Sequence, residues 1–187
     1  MSSLTINQPA LFFTGNHLIG EGVESATRRA KDLKGIFRDT AALDAMSPDA
    51  IVYEVKSFLP VPEGTPGGLY FGITSLYPGK VGDEYFMTKG HFHAARDRAE
   101  FYWGLTGEGM LLFMDGQRNV RAEKMSPGSL HYIPGGVAHR VANTGDGLLS
   151  FAACWPSDAG HNYGEIAENG FAGRLICIKG FPELVLI

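Results

Sequence analysis

From about residue 51 onward the chain alternates short apolar runs with glycine, a pattern that predicts strands rather than helices. Ile51 to Phe58 reads as the first such strand, introduced by the turn at Ser47-Pro48, and PVPEGTPGG after it reads as a loop. LYFGITSLY, EYFMTKGHFH, AEFYWGLTG, EGMLLFMDG, RNVRAEKM, SLHYIPGG, AHRVANTG, LLSFAACWP and RLICIKGF follow as β-prone runs. TGEG and DGQ supply turn chemistry between strands that pair as hairpins. No repeat with a period of about 20 to 50 residues runs through the chain, which argues against a solenoid or propeller. The pattern therefore predicts a mainly β protein: a single antiparallel barrel of the jelly-roll kind. Residues 1–50 break the rhythm. SATRRAKDLKGIF, residues 25–37, predicts a short helix capped by Ser25 and stopped by Gly35, with its basic side chains on a solvated face. The expected organisation is an N-terminal helical or irregular extension, residues 1–50, packed on a barrel of residues 51–187, together one structural domain.

Composition narrows the function without naming it. With 187 residues, 44% hydrophobic and 19% charged, the chain suits one compact domain with a full core. Its net charge of −4, with no basic block longer than Arg28-Arg29, argues against a nucleic-acid or membrane-surface partner. An anionic ligand would have to be attracted by local groups or by a metal. Cys154 and Cys177 have neither disulfide-framework nor zinc-motif spacing and read as core thiols. The first residues show no basic stretch and only the short apolar run Ala10 to Phe13, so the expected location is cytoplasmic.

The chemistry gathers in GHFHAARDRAEFYWGLTGEG, residues 90–109. In a strand, residues i and i+2 share a face, so His91 and His93 project together while Phe92 points away. The six residues AARDRA return the chain so that Glu100, opening the next strand, reaches the same pocket, with Tyr102 on its face and Phe101 and Trp103 behind. GSLHYIPGGVAHRVAN offers a further ligand, His139, just after a Pro-Gly-Gly turn, with Val141 and Asn143 sharing its parity. Three imidazoles and one carboxylate suit a divalent transition ion such as Fe²⁺, Mn²⁺, Ni²⁺ or Zn²⁺, and octahedral coordination would keep two positions open for water or substrate. A structural zinc site would instead be closed, four-coordinate and rich in cysteine. His17 and His131 lie apart from this set and read as ordinary surface or core histidines.

The blocks G-H-x-H-x6-E-x6-G, from Gly90 to Gly107, and G-x5-P-x-G-x2-H-x3-N, from Gly128 to Asn143, resemble the two cupin motifs. The six-residue gap between His93 and Glu100 departs from the gap of four familiar in oxalate-handling cupins. From about Arg29 to Tyr163 the chain is similar to the cupin-type glucose-6-phosphate isomerases of archaea and some bacteria. The resemblance is carried by DLKGIFRD, TSLYPGK, TKGHFH, EFYWGLTGEG, YIPGGVAHRVAN and GHNYGEI.

That resemblance implies a cupin barrel, one iron ion per subunit held by His91, His93, Glu100 and His139, a homodimer, and interconversion of glucose 6-phosphate and fructose 6-phosphate. It matches Thr74, Thr88 and the Gly90 amide to phosphate-binding positions, with Tyr163 as a further donor. Taken alone, the threonines read better as ordinary strand residues. Tyr102 and His161 are expected as sugar-hydroxyl contacts, His161 also for ring opening, against the plainer readings of a core aromatic and an exposed loop histidine. Lys89 and Arg98 read by default as solvated strand-face charge and otherwise as cations that steer the anion. A divalent ion acidifies the C–H beside a carbonyl and stabilises an enediolate, and Glu100 is the natural proton carrier. A direct hydride shift would leave Glu100 as ligand only. The alternatives from the same ligand set are an Fe²⁺ cupin dioxygenase and a non-catalytic sugar-binding cupin.

Overall fold

The computed structural model describes residues 5–187. A hairpin of β1 (Leu11–Thr14) and β2 (His17–Gly20) leads into β3 (Val23–Arg29), a 3₁₀ turn at Ala30–Leu33 and the short helix α1 (Thr40–Ala45). Then come β4 (Ile51–Phe58), β5 (Leu69–Leu76), β6 (Lys80–Val81), β7 (Glu84–Tyr85), β8 (Glu100–Thr106) and β9 (Gly109–Met114). The chain continues through β10 (Val120–Met125), β11 (Leu130–Ile133), β12 (Ala138–Asn143), β13 (Leu149–Pro156), α2 (Gly164–Asn169), β14 (Gly173–Ile178) and β15 (Phe181–Leu186).

Two antiparallel sheets face each other in a jelly-roll arrangement. One has the order β11-β8-β13-β5-β4-β3, the other β10-β9-β12. A separate sheet, β15-β14-β7-β6, sits beside them, so the strands form facing sheets rather than one continuously closed barrel. The core between them includes Leu76, Leu111, Phe113, Ile133, Val141 and Phe151, all essentially excluded from water. Each such side chain contributes roughly 1.5–3 kcal/mol relative to its exposed state. Among the described residues no helix is long and apolar enough to cross a membrane.

The helix expected over residues 25–37 is not formed. Residues 23–29 are strand β3, whose Ala26 and Arg28 lie opposite Val55 and Tyr53 of β4. Weak local helix preference loses here to a ladder of backbone hydrogen bonds that no local pattern announces. Ala30–Leu33 makes a 3₁₀ turn, and the α-helix forms only beyond that segment, at α1, where the Asp39 carboxylate accepts from the Ala42 amide at 2.8 Å and caps the first turn. The cysteines are free and half-buried: Cys154 lies on β13, and Cys177 packs against the core beside Lys80.

The run EYFMTKGHFH is also not one regular strand. Met87 lies opposite Ala142 and His91 opposite His139, so four steps on one side match three on β12. One residue is therefore extra, at Lys89–Gly90, as in a β-bulge. Gly90 takes φ +76°, and a Cβ there would sit 3.1 Å from Arg140 Cβ, so both backbone angle and space favour glycine. The bulge sets His91 directly across from His139, with backbone bonds of 3.3 and 3.0 Å in both directions.

Past His139, β12 ends on a polar lock. Asn143 is wholly buried and donates to the Leu76 carbonyl at 2.8 Å and the Gly147 carbonyl at 2.9 Å, while accepting from the Gly145 amide at 3.0 Å. Asn143→Leu strands those groups without water. It is expected to lower unfolding free energy by about 2–4 kcal/mol, measured by urea denaturation; a loss below about 0.5 kcal/mol would refute the lock.

Candidate active site and metal centre

The bulge, the Arg98 turn and β12 deliver His91, His93, Glu100 and His139 to one point. Their nearest donor atoms all lie within 4.8 Å of one another. His93 Nδ1 lies 2.7 Å from the Arg98 carbonyl oxygen, which only accepts, so Nδ1–H donates there and the Nε2 lone pair faces the cluster. That Nε2 stands 3.1 Å from Glu100 Oε1. His139 Nε2 comes within 2.5 Å of the same oxygen at an angle that forms no hydrogen bond, and His91 Nε2 is buried without any partner.

Buried polar atoms without partners are costly, and lone pairs crowded on a carboxylate repel it. A cation at their centre removes both costs, so the donor set fits a divalent ion. Without an ion, positive charge on the neighbouring imidazoles takes that place. Burial opposes ionisation of Glu100, but His139 and His93 outweigh it and pull its carboxyl down to about 2. Burial and then the neighbouring imidazoles hold His91 well below its ordinary value, in the neutral form that binds metal. Burial also opposes protonation of His93, yet the Glu100 carboxylate raises it, so without an ion a shared proton relieves that pair.

Three of the four, His91, Glu100 and His139, form the floor of a cavity of about 460 Å³, with His93 behind them. Its wall is the inner face of the six-stranded sheet: Ala26 and Arg28 from β3, Tyr53 and Val55 from β4, Gly72 and Thr74 from β5, Phe151 and Trp155 from β13. Thr88 and Gly90 enter from the bulge. Thr88 Oγ1 accepts from the Val141 amide at 3.1 Å, which closes the bulge and leaves the hydroxyl hydrogen free to donate. Tyr102 faces the cavity edge-on to His139, with 5.6 Å between rings. Burial and then the charge of Glu100 hold its phenol well above the ordinary value, so it remains a neutral donor. At the rim, His161 and Tyr163 stack with rings 5.7 Å apart, and His161 lies 4.5 Å from His91.

A family model for glucose-6-phosphate isomerase matches residues 27–180. The glucose-6-phosphate isomerase of Pyrococcus horikoshii is 47% identical over 167 residues, covering 88% of this chain and 87% of its own. That of Thermococcus onnurineus is 45% identical over 165 residues, 88% of this chain and 86% of its own. The chain belongs to the glucose-6-phosphate isomerase family. Among solved structures, Bacillus subtilis oxalate decarboxylase overlays 58% of this chain and 26% of its own, with TM-score 0.45 and 18% identity.

Within this family member, two residues depart from expectation. Arg98 is absent from the cavity wall. Its guanidinium is gripped by Asp158 at 3.0 and 2.8 Å and by Asp97 at 2.7 Å, so its carbonyl, not its charge, serves the site by orienting His93. Arg28, expected on a solvated helix face, lines the cavity instead. Tyr53 and Glu63 also line it without having been singled out. Strand alternation through Ala26 and Arg28 carried a signal for Arg28, but only once β3 is known to be a strand. Glu63 carried none, because it sits in the proline-glycine loop that folds over the cavity mouth.

The burial of His91 has a consequence for stability. Its folded-state pKa lies well below the ordinary 6.5, so the unfolded chain takes up this proton first and the metal-free fold weakens as pH falls through that value. Metal-free wild type is expected to lose stability between about pH 7 and 5 more steeply than His91→Asn. Equal slopes in urea titrations at both pH values would contradict this.

Proposed function

We propose that the chain is a metal-dependent isomerase interconverting glucose 6-phosphate and fructose 6-phosphate. The observation that carries this reading is the convergence of His91, His93, Glu100 and His139, three of which line a cavity, in a chain of the glucose-6-phosphate isomerase family. His91, His93, Glu100 and His139 would hold the ion, with Fe²⁺ the choice implied by resemblance and Mn²⁺, Ni²⁺ or Zn²⁺ compatible with the same ligands. When bound, the ion supplies Lewis-acid polarisation of the substrate carbonyl and its neighbouring hydroxyl.

The residues do the rest. Both imidazoles approach Glu100 through Oε1, which leaves Oε2 to take a proton from one carbon and return it to the next. Thr74, Thr88, the Gly90 amide and Tyr163 receive the phosphate, while Tyr102 and His161 bind sugar hydroxyls and His161 assists ring opening. Arg98 acts through His93 rather than on substrate. Exclusion of water by Phe151, Trp155 and the loop carrying Glu63 strengthens each of these contacts.

Iron-loaded protein is expected to form glucose 6-phosphate from fructose 6-phosphate in a coupled assay, and chelation to abolish it. No metal-dependent turnover would sink the reading; oxygen uptake with an organic substrate would favour a dioxygenase. Glu100→Gln should cost on the order of 10²–10⁴ in kcat, with solvent deuterium entering the sugar in D₂O for wild type. Absence of deuterium at full turnover would favour hydride shift and remove Glu100 as proton carrier.

The homodimer belongs to the same proposal. On the outer face of the six-stranded sheet, Phe101, Leu130 and Tyr132 are exposed by 45, 66 and 55%, with Phe101 and Tyr132 rings 5.3 Å apart. Phe12 and Phe13 of β1 and Phe181 and Leu186 of β15 are exposed too. Apolar area of this kind favours a second copy over water. Light scattering on the full chain should give a dimer mass at micromolar concentration, and a monomer would overturn this part alone.

A further inference from the structure

A phosphate dianion brought into a cavity that already holds a carboxylate needs charge as well as hydrogen bonds. Thr74, Thr88, the Gly90 amide and Tyr163 are neutral, and Glu63 and Glu100 add negative charge to the wall. The cavity-lining cations are Arg28 and Lys89. Five of the eight other arginines pair with carboxylates, Arg38 with Asp83, Arg96 with Glu165, Arg98 with Asp158 and Asp97, Arg121 with Glu123 and Arg174 with Glu84, and Arg29, Arg118 and Arg140 do not line the cavity. Arg28 is different. Among the described residues its guanidinium forms no ion pair, and its hydrogen bond is a 3.3 Å contact with the carbonyl of the adjacent Thr27.

Its placement is built into the sheet. Arg28 lies directly opposite Tyr53 in the β3–β4 ladder and two residues beyond Ala26, so strand alternation places all three on the cavity side of the sheet. Arg28, Tyr53 and Tyr163 line one cavity; burial raises Tyr53, to about 12, and Tyr163, and the Arg28 charge opposes that rise in each. Both phenols remain neutral donors beside a fixed positive charge. A planar guanidinium flanked by hydroxyl donors is the arrangement that receives a phosphate by paired, charge-assisted hydrogen bonds.

We propose that Arg28, reaching in from the edge strand β3 beside Tyr53, is the counter-ion of the substrate's phosphate and selects phosphorylated over free sugars. This rests on the phosphosugar reading above. It makes β3 part of the binding site rather than a cover for the sheet, and leaves Lys89 to attract anions at longer range.

The test uses the metal-loaded full chain, with Arg28→Gln, Arg28→Met and Lys89→Gln compared at matched melting temperature. Arg28→Gln is expected to raise the KM for fructose 6-phosphate and the inhibition constant of inorganic phosphate by about tenfold or more, with a smaller change in kcat. Calorimetric binding of free fructose should change by less than about twofold, so discrimination collapses toward the unphosphorylated sugar. Arg28→Met keeps the aliphatic stem and carries the same expectation if the glutamine variant fails to fold. Unchanged phosphate affinity in a folded Arg28 variant, or loss confined to Lys89→Gln, overturns the proposal. Should wild type prove inactive on fructose 6-phosphate, the isomerase reading falls separately. Calorimetry with inorganic phosphate on wild type and Arg28→Gln then still decides whether Arg28 is an anion site.

Discussion

Three imidazole lone pairs and a carboxylate cannot face one another in a buried cluster unless something positive sits among them, and the site is arranged around that electrostatic constraint. His93 is committed to one tautomer by the Arg98 carbonyl, His91 is kept neutral by burial, and Glu100 is kept ionised by its neighbours. Each condition is costly alone in a low-dielectric interior and favourable once a cation joins them. Folding therefore stores a binding site whose components are strained against each other and relieved together.

The backbone that enforces this convergence is irregular where it matters. A regular strand through residues 87–91 would be one residue out of step with β12 and would aim His91 away from His139. The extra residue at Lys89–Gly90 corrects the register, and Thr88 closes the resulting gap with its own hydroxyl oxygen. Gly90 is thus required twice, once for its positive φ and once because Arg140 packs against it. The same bulge presents an amide and a hydroxyl to the cavity, so metal geometry and substrate donors come from one local distortion.

Around this floor, the six-stranded sheet supplies the wall by simple alternation. Alternate residues along part of β3, β4, β5 and β13 face the cavity, which is why contributors as distant in the chain as Arg28, Thr74 and Trp155 meet there. The loop carrying Glu63 and the rim pair His161 and Tyr163 narrow the mouth. Family membership and cavity chemistry point the same way, but they are independent: one comes from identity spread along the chain, the other from where a few side chains converge.

His91, His93 and Glu100 were legible in the sequence because their convergence needs only strand alternation and a short return, and His139 because a Pro-Gly-Gly turn marks its strand. The mainly β character was legible for the same reason: apolar runs broken by glycine report local geometry directly. Arg28 was not, since its strand exists only through pairing with β4, and the isolated segment satisfies a helix pattern equally well. The role of Arg98 was hidden for a related reason, because its partner Asp158 lies 60 residues away and nothing local says which way the guanidinium turns. The sequence by itself determined which residues could bind metal and which runs would be strands, because those depend on neighbours in the chain. Only the tertiary structure decided the bulge register, the direction of Arg28 and Arg98, and the closure of the cavity, because hydrogen bonds and charges between distant segments set them.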